Sequence, residues 1–295
     1  MGADHRNSVP WALLTMARPA NIVTAHADVL AGYAAAQTVQ LSHLVLLLIA
    51  TTGLYGGGIV WNDVCDAPQD ASERPERPIP RGTVTGTQAA VFGGFLLLGG
   101  VVSAFYASKA SGVVALATAL AALLYDSLAK RQAILGPLNM GVCRGLNFSL
   151  GLSVSPHALS SRWPIALIAT FYIAGITALS RSEVRGGERG AAVVSTLWLT
   201  GALLMAFLMF TSIAPHPYWG LPFFALLLYR IFPALRRATK TLRASDIRLA
   251  VKAGVLSLIV LNACIAANFA GFLYAAALLL LYIPAARLAR WFAVT

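Results

Sequence analysis

The chain has 295 residues, of which 58% are hydrophobic and only 11% charged, and its mean hydropathy is +0.72. Soluble domains carry about 25% charged residues, so the composition excludes an ordinary soluble protein and indicates a polytopic membrane protein. The net charge of +11 resembles that of nucleic-acid-binding proteins. However, the basic residues lie between apolar segments, where the positive-inside rule accounts for them, and we expect no nucleic-acid partner.

Ten apolar segments follow one another, each near the length of about 20 residues that a membrane-spanning helix needs. Apolar residues recur along them with a helical period, and their many Gly and Ala residues suit close helix packing in lipid. We predict an all-α fold, a transmembrane bundle of about nine or ten spans, in a single domain over residues 1–295. The predicted spans are residues 21–37, 41–61, 87–107, 111–125, 136–154, 163–179, 191–213, 218–232, 249–267 and 271–286. Nine spans remain open because the eighth segment is short and a break at 268–271 separates the last two.

Basic residues are dense on alternate connections, at 62–86, 126–135, 181–190, 233–248 and beyond 286. The other connections hold only Lys109 and Arg162. This asymmetry places both termini and the acidic loop described next in the cytoplasm. We expect the chain in a bacterial cytoplasmic membrane, in contact with lipid.

The first polar cluster follows the second predicted span. It contains Asn62, Asp63, Asp66 and Asp70, and thus three of the chain's 11 acidic residues. On a helix these three carboxylates lie within about 60° of one face. Charge beside a bilayer is costly and usually functional, and Mg²⁺ is commonly held by one or two carboxylates with substrate phosphates. The alternative is an exposed acidic helix end.

A second cluster follows the fourth span and contains Tyr125, Lys130 and Arg131. Taken alone, these residues fit an aromatic belt with positive-inside anchors. Three further polar residues, Asn139, Arg144 and Asn147, fall inside the fifth apolar segment. An arginine within a span faces either a polar cavity or a partner on a neighbouring span, and both interpretations of Arg144 remain open.

A third cluster follows the sixth span, where Arg181, Arg185 and Arg189 alternate with Glu183 and Glu188. Such a segment can bind a second cation, bind an anionic group, or form a charged turn. The sequence leaves these three possibilities open.

Several of these motifs resemble the UbiA superfamily of intramembrane prenyltransferases. The pattern NDxxDxxxD at 62–70, followed by RPxRPI at 74–79, resembles its first aspartate-rich signature. The pattern RPxN at 18–21 resembles the entry to its first span, and YDSLAKR at 125–131 resembles its Tyr/Lys segment. The likeness covers about residues 15–290. The runs GPLNMGVCRGLN at 136–147 and SEVRGG at 182–187 resemble the EboC-like branch.

The resemblance implies Mg²⁺-dependent transfer of a prenyl group from a prenyl diphosphate to a small acceptor. Ionising an allylic C–O bond leaves negative charge on diphosphate, which a metal and fixed cations stabilise. The implied metal ligands are Asp63, Asp66, Asp70 and Glu183, and the catalytic set consists of Asp63, Asp66, Asp70 and Lys130. The implied substrate contacts are Asn62, Arg74, Arg77, Tyr125, Arg131, Asn139, Arg144, Asn147, Arg181 and Arg185.

The sequence departs from the family pattern at the second acidic motif. Its loop contains no Asp, and Glu183 and Glu188 would point about 140° apart on a helix. Either a second metal is absent or arginines take over part of its charge-neutralising role. Two other functions remain open: a transporter or flippase for an anionic lipid or metabolite, and a non-catalytic UbiA-like protein. Transporters tend to show repeat halves with broken helices near the midplane, whereas these polar groups gather at one membrane face.

Overall fold

The computed structural model describes residues 8–181, 189–212 and 214–292. Within these ranges the chain is helical and contains no strand, which confirms the all-α prediction. The α-helices are α1 (Val9–Met16), α2 (Pro19–Ala36), α3 (Leu41–Glu73), α4 (Gly86–Ala107), α5 (Lys109–Ser127), α6 (Leu135–Leu152), α7 (Pro156–Arg162), α8 (Ala166–Ser180), α9 (Arg189–Ser212), α10 (Leu221–Thr241), α11 (Ala244–Ala270), α12 (Phe272–Leu279) and α13 (Tyr282–Trp291). Short 3-10 turns occupy Ala129–Arg131 and Trp163–Ile165.

Each predicted span coincides with a helix, the last with the pair α12 and α13, which agrees with the predicted transmembrane bundle. Seven helical segments of the described residues are long and apolar enough to cross a membrane: Leu41–Glu73, Gly86–Ala107, Lys109–Ser127, Pro156–Ser180, Arg189–Met209, Ala244–Ala270 and Phe272–Trp291. Helices α2, α6 and α10 are not among them, because they carry polar or charged residues such as Asp28, Arg144 and Arg230.

Helix α3 determines where the first acidic cluster lies. Its 33 residues correspond to about 50 Å at 1.5 Å per residue, well beyond the hydrocarbon thickness of about 30 Å. The predicted span ended at residue 61, but the helix continues through Asp63, Asp66 and Asp70 to Glu73. The acidic cluster is therefore part of a regular helix that extends past the apolar layer.

Glycines bring α2 and α6 into close contact. A Cβ at Gly32 of α2 would collide with the Phe148 carbonyl of α6, and one at Gly151 of α6 would collide with the Val29 carbonyl of α2. Small residues at both positions let the two backbones touch. Helix α11, the most deeply buried of the candidate spans, packs against α2, α8 and α10. This arrangement sets polar residues of α2, α6 and α11 side by side in the interior.

Candidate active site

A cavity of about 480 Å³ lies between α2, α3, α5, α6, α8 and α11. Its lining follows α3 from Leu54 to Glu73, a length of about 28 Å at the helical rise. One end is charged and includes the exposed residues Gln69 and Glu73, so the cavity opens there. We call this end the mouth and define it by Arg18, Asp63, Asp66, Asp70, Arg77 and Lys130. The walls beyond it are mainly apolar and include Ile59, Ile173, Ile176, Val251, Val255 and Leu258.

Two carboxylates of α3 share one arginine at the mouth. Nη1 of Arg77 donates to Oδ1 of Asp63 at 3.2 Å and to Oδ2 of Asp70 at 2.7 Å. Asp63 and Asp70 are seven residues apart, two helical turns, and so project from the same face as predicted. Arg77 lies in the connection between α3 and α4, which folds back over the end of α3. The first aspartate motif and the arginines that follow it thus form one structural unit.

A second arginine reaches the mouth from the start of α2. Nη2 of Arg18 donates to Oδ1 of Asp63 at 3.1 Å. Burial lowers the pKa of the Arg18 guanidinium, and the carboxylate of Asp63 opposes this shift. Arginine remains protonated in proteins, so Arg18 is a half-buried permanent charge at the mouth. Its backbone has φ of 47°, a left-handed conformation that non-glycine residues adopt only when their surroundings hold them in it.

The third contact of the mouth joins α3 to the turn after α5. Lys130 forms an ion pair with Asp66, and Nδ2 of Asn62 donates to Oδ1 of Asp126 at 2.7 Å. Arg181 supports this turn, because its Nη1 donates to the carbonyl oxygens of Lys130 at 2.8 Å and Gln132 at 3.1 Å. The second predicted cluster is therefore placed directly opposite the first.

A separate polar network closes the inner part of the cavity. Nε of Arg144 lies 2.5 Å from Oδ2 of Asp28, and Nη2 of Arg144 donates to Oγ1 of Thr24 at 2.9 Å. Asp28 also accepts from Nδ2 of Asn147 at 3.1 Å and from Nδ2 of Asn262 at 2.6 Å. We call Asp28, Arg144, Asn147 and Asn262 the floor. Their helices, α2, α6 and α11, are those brought together by the packing described above.

Most of the predicted site residues converge on this cavity. The lining includes Asn62, Asp66, Asp70, Arg74, Arg77, Tyr125, Arg144, Asn147 and Arg181, and ion pairs connect Asp63 and Lys130 to the same region. Two residues depart from the prediction. Arg131 is exposed and does not line the cavity, because the short turn directs Lys130 toward α3. Asn139 also lies outside the lining and accepts a contact from Sγ of Cys143 at 3.6 Å.

Glu183, Arg185 and Glu188 lie outside the described residues, and their roles stay predictions. The structure adds residues to which the sequence analysis gave no role: Arg18 at the mouth, Asp126 beside Asn62, and Asp28 and Asn262 in the floor. Asp28 could have been identified from the sequence, because a carboxylate inside an apolar segment requires a partner. Nothing in the sequence distinguishes Asn262 from other asparagines.

The donor set of the mouth is chemically suited to Mg²⁺. Carboxylate oxygens are the hard ligands that this ion prefers, and it normally keeps waters or substrate phosphates in its shell. No group of three or more His, Cys, Asp or Glu side chains among the described residues is arranged to hold a metal by itself. The residues therefore fit a Mg²⁺ ion that a substrate phosphate helps to bind, and not a closed protein site.

Comparisons with known proteins identify the family and the fold. A model of the UbiA prenyltransferase family matches residues 27–253. The digeranylgeranylglyceryl phosphate synthase of Methanoregula boonei is 32% identical over 214 residues, which are 69% of this chain and 76% of that protein. An apo UbiA homologue from Aeropyrum pernix K1 has a TM-score of 0.70 at 17% identity, covering 83% of this chain and 96% of its own. A UbiA homologue from Archaeoglobus fulgidus bound to DMAPP and Mg²⁺ has a TM-score of 0.59 at 15% identity, covering 82% and 98%.

Proposed function

Because the chain belongs to the UbiA prenyltransferase family, we propose that it transfers the prenyl group of a prenyl diphosphate to a hydroxyl group of a glyceryl phosphate lipid. Membership in this family makes the chain an integral membrane prenyltransferase and argues against the transporter alternative. The donor, the acceptor, Mg²⁺ and the roles of the individual residues form the proposal. It is supported by the mouth, where three carboxylates of one helix meet three cations at the open end of an apolar cavity.

The diphosphate of the donor binds at the mouth. Arg18, Arg77 and Lys130 are held there by carboxylates, so their charges are in place before substrate arrives. Arginine suits this task because its planar guanidinium grips phosphate oxygens in a bidentate manner. The basic side chains of these pairs are 15% to 16% exposed, and the cavity opens beside them, so a diphosphate entering the mouth can reach them.

Asp63, Asp66 and Asp70 would hold Mg²⁺, with Asn62 beside them. When bound, the ion would neutralise charge on the diphosphate as the allylic C–O bond breaks. The Archaeoglobus fulgidus homologue with DMAPP and Mg²⁺ supports this cofactor. Whether Glu183 binds a second ion, and whether Arg185 contacts the diphosphate, stay predictions from the sequence.

The prenyl chain lies along the apolar walls of the cavity. Isoleucine and valine side chains from α8 and α11 line it beyond the mouth. Burying a hydrocarbon chain there is favourable by about 0.8 kcal/mol per CH₂ group. An apolar wall next to a charged mouth matches a substrate with a diphosphate at one end and a hydrocarbon at the other.

The acceptor class is supported by the named relative. Digeranylgeranylglyceryl phosphate, the product in the name of the Methanoregula boonei protein, carries two geranylgeranyl groups on one glyceryl phosphate. In the corresponding reaction the C1–O bond of the donor breaks, and its electron pair stays on the diphosphate. An acceptor hydroxyl then forms the new C–O bond, and its proton passes to a diphosphate oxygen or to water. The EboC-like branch stays a prediction from sequence motifs.

The mouth faces the cytoplasm in this proposal. The basic connections that follow α3, α5 and α10 lie on the same side by the positive-inside rule. The relatives are archaeal, so the bacterial membrane expected from the sequence also stays a prediction. The single domain over residues 1–295 likewise stays a prediction from the sequence.

The proposal is tested by measuring diphosphate release from geranylgeranyl diphosphate with the purified chain in lipid vesicles. We expect release that requires Mg²⁺ and increases when geranylgeranylglyceryl phosphate is added. Release that is equal in Mg²⁺ and in EDTA would contradict the proposal.

A further inference from the structure

The floor lies well away from the mouth. Tyr55 of α3 is eight residues before Asp63, a separation of about 12 Å along the helix. Cζ of Arg144 lies 5.0 Å from the centre of the Tyr55 ring. On α2, Asp28 follows Arg18 by ten residues, or about 15 Å. Measured along either α2 or α3, Arg144 therefore lies about 12 to 15 Å from the mouth residues that bind the diphosphate.

The floor also differs from the mouth in charge. Arg144 and Asp28 have side-chain exposures of 3% and 0%, so water does not screen their pair. The carboxylate of Asp28 neutralises the guanidinium and is itself held by the amide groups of Asn147 and Asn262. The floor therefore presents polar hydrogen-bonding groups with no net charge from this pair.

One donor of the floor is not used by the protein. Nη1 of Arg144 is buried and has no hydrogen-bond partner among the residues that the structure describes. Arg144 lines the cavity, as do Asn147 and Tyr55. A buried guanidinium donor is costly to leave unpaired, so an oxygen atom of a ligand is the natural partner for Nη1. Because the pair is already neutral, an uncharged oxygen suits this position better than a second phosphate.

We propose that Nη1 of Arg144 binds the hydroxyl oxygen of the acceptor, while the mouth binds the diphosphate of the donor. This inference rests on the prenyl transfer proposed above and specifies where the second substrate lies. The allylic C1 atom then lies between the two ends of the cavity, with its leaving group toward the mouth and the attacking oxygen toward the floor. Arg144 acts as an acceptor-binding residue, and Asp28 acts as a positioning residue that fixes Arg144.

Neutralisation by Asp28 has a second consequence. Positive charge develops on the allylic carbon as the C1–O bond breaks, and an unpaired guanidinium nearby would oppose that charge. Pairing Arg144 with Asp28 allows a strong hydrogen-bond donor to stand near the reacting carbon with little repulsion. The face of Tyr55 already contacts the Arg144 guanidinium and helps to hold it in place.

The test compares the kinetics of the two substrates in matched variants. Replacing Arg144 alone would leave Asp28 unpaired, so the main variant is Asp28→Asn with Arg144→Gln, which removes both charges together. Arg144→Lys, which keeps a charge against Asp28 but loses the planar fork, is the second variant if the first does not fold. Arg77→Gln at the mouth is the matched control. The substrates are geranylgeranyl diphosphate and geranylgeranylglyceryl phosphate.

We expect the floor variant to raise KM for the acceptor by about tenfold, the effect of losing one hydrogen bond to a charged group. Its KM for geranylgeranyl diphosphate should change by less than about twofold, because the diphosphate is bound at the mouth. Arg77→Gln should show the opposite pattern. A floor variant that raises KM for geranylgeranyl diphosphate instead would overturn the inference and make Arg144 a diphosphate contact. Unchanged kinetics for both substrates would overturn it as well.

The wild-type protein separates this inference from the proposed function. If it releases no diphosphate, the proposed function fails and the inference fails with it. If it transfers normally and only the pattern among the variants differs, the inference alone fails.

Discussion

The mouth and the floor of the cavity are built from the same residue types but in different environments. At the mouth Arg77 bridges two carboxylates, and the side chain of Asp66 is 25% exposed. In the floor Asp28 is fully buried and also accepts hydrogen bonds from two amides. Partly exposed ion pairs contribute little to stability, whereas breaking a buried pair is strongly destabilising. At the mouth the basic partners of the ion pairs are 15% to 16% exposed, whereas both partners of the floor pair are enclosed at 3% and 0%.

The largest effect is expected from removing charge at the mouth. Asp63→Asn and Asp66→Asn should each lower turnover by about 10²-fold or more, because charge stabilisation of the leaving diphosphate is lost. Asp66→Asn should change thermal unfolding little, because the Asp66 side chain is 25% exposed. Asp63→Asn should lower it, because Asp63 is buried and pairs with Arg18 and Arg77, so turnover is measured below the unfolding temperature of that variant. Glu76→Gln, the same chemical change at an exposed position outside the cavity, is the control. Normal turnover in both Asp variants would show that the mouth is not the metal site.

Removing one partner of the Asp28–Arg144 ion pair should lower the free energy of unfolding. Asp28→Asn leaves the Arg144 charge unpaired in the interior, and we expect a loss of about 3 kcal/mol in the free energy of unfolding. Asp28→Asn with Arg144→Gln should recover most of that loss. The control is Asp246→Asn: Asp246 is buried, but its partner Arg237 is 67% exposed and is hydrated once unpaired, so the expected loss is smaller than at Asp28. Thermal unfolding in detergent measures all three. Equal losses at Asp28 and Asp246 would remove the distinction between the two kinds of pair.

A third prediction distinguishes the arginine at the mouth from a nearby exposed arginine. Arg77→Gln should raise KM for the prenyl diphosphate by about tenfold, because a charge-assisted hydrogen bond is lost. Arg131→Gln should have no effect, since Arg131 is exposed and outside the cavity lining. Steady-state kinetics with varied prenyl diphosphate distinguish the two. A larger effect at Arg131 would support the original sequence prediction over the observed geometry.

The smallest effect is expected at Arg181, which holds the turn that carries Lys130 through two backbone carbonyls. Arg181→Gln should lower kcat/KM by about threefold to tenfold, because Lys130 would be less well positioned. Adding Lys130→Gln should make the Arg181 change silent, and a double-mutant cycle measures this coupling. Full additivity of the two losses would show that Arg181 acts on the diphosphate directly.

Much of this organisation was predictable from local sequence patterns. Apolar periodicity located a helix at each of the ten segments, and the spacing of Asp63, Asp66 and Asp70 placed them on one face of α3. The end of α3 was missed because its last turns are polar and resemble a loop when only hydropathy is considered. Seven segments are by themselves long and apolar enough to cross a membrane, whereas α2, α6 and α10 carry polar or charged residues that lower their hydropathy.

The floor could not be derived in the same way. Asp28 and Arg144 belong to helices far apart in the chain, and no periodic pattern pairs them. Each residue alone indicated only that a buried charge needs a partner. The glycine contacts between α2 and α6 selected that partner, and they depend on how the helices pack. The sequence therefore indicated that Arg144 faced either a cavity or an ion-pair partner, and the structure shows that it does both.

Prenyl transfer to a glyceryl phosphate lipid is measured by following the reaction product. Purified chain in lipid vesicles is incubated with geranylgeranyl diphosphate and geranylgeranylglyceryl phosphate, with Mg²⁺ or EDTA, and the lipids are identified by mass spectrometry. We expect a glyceryl phosphate lipid with a second geranylgeranyl group, formed with Mg²⁺ and absent in EDTA and with Asp63→Asn. Formation of that lipid at the wild-type rate by Asp63→Asn, or its absence with the wild-type chain in Mg²⁺, would show that the chain does not catalyse this Mg²⁺-dependent transfer at the mouth.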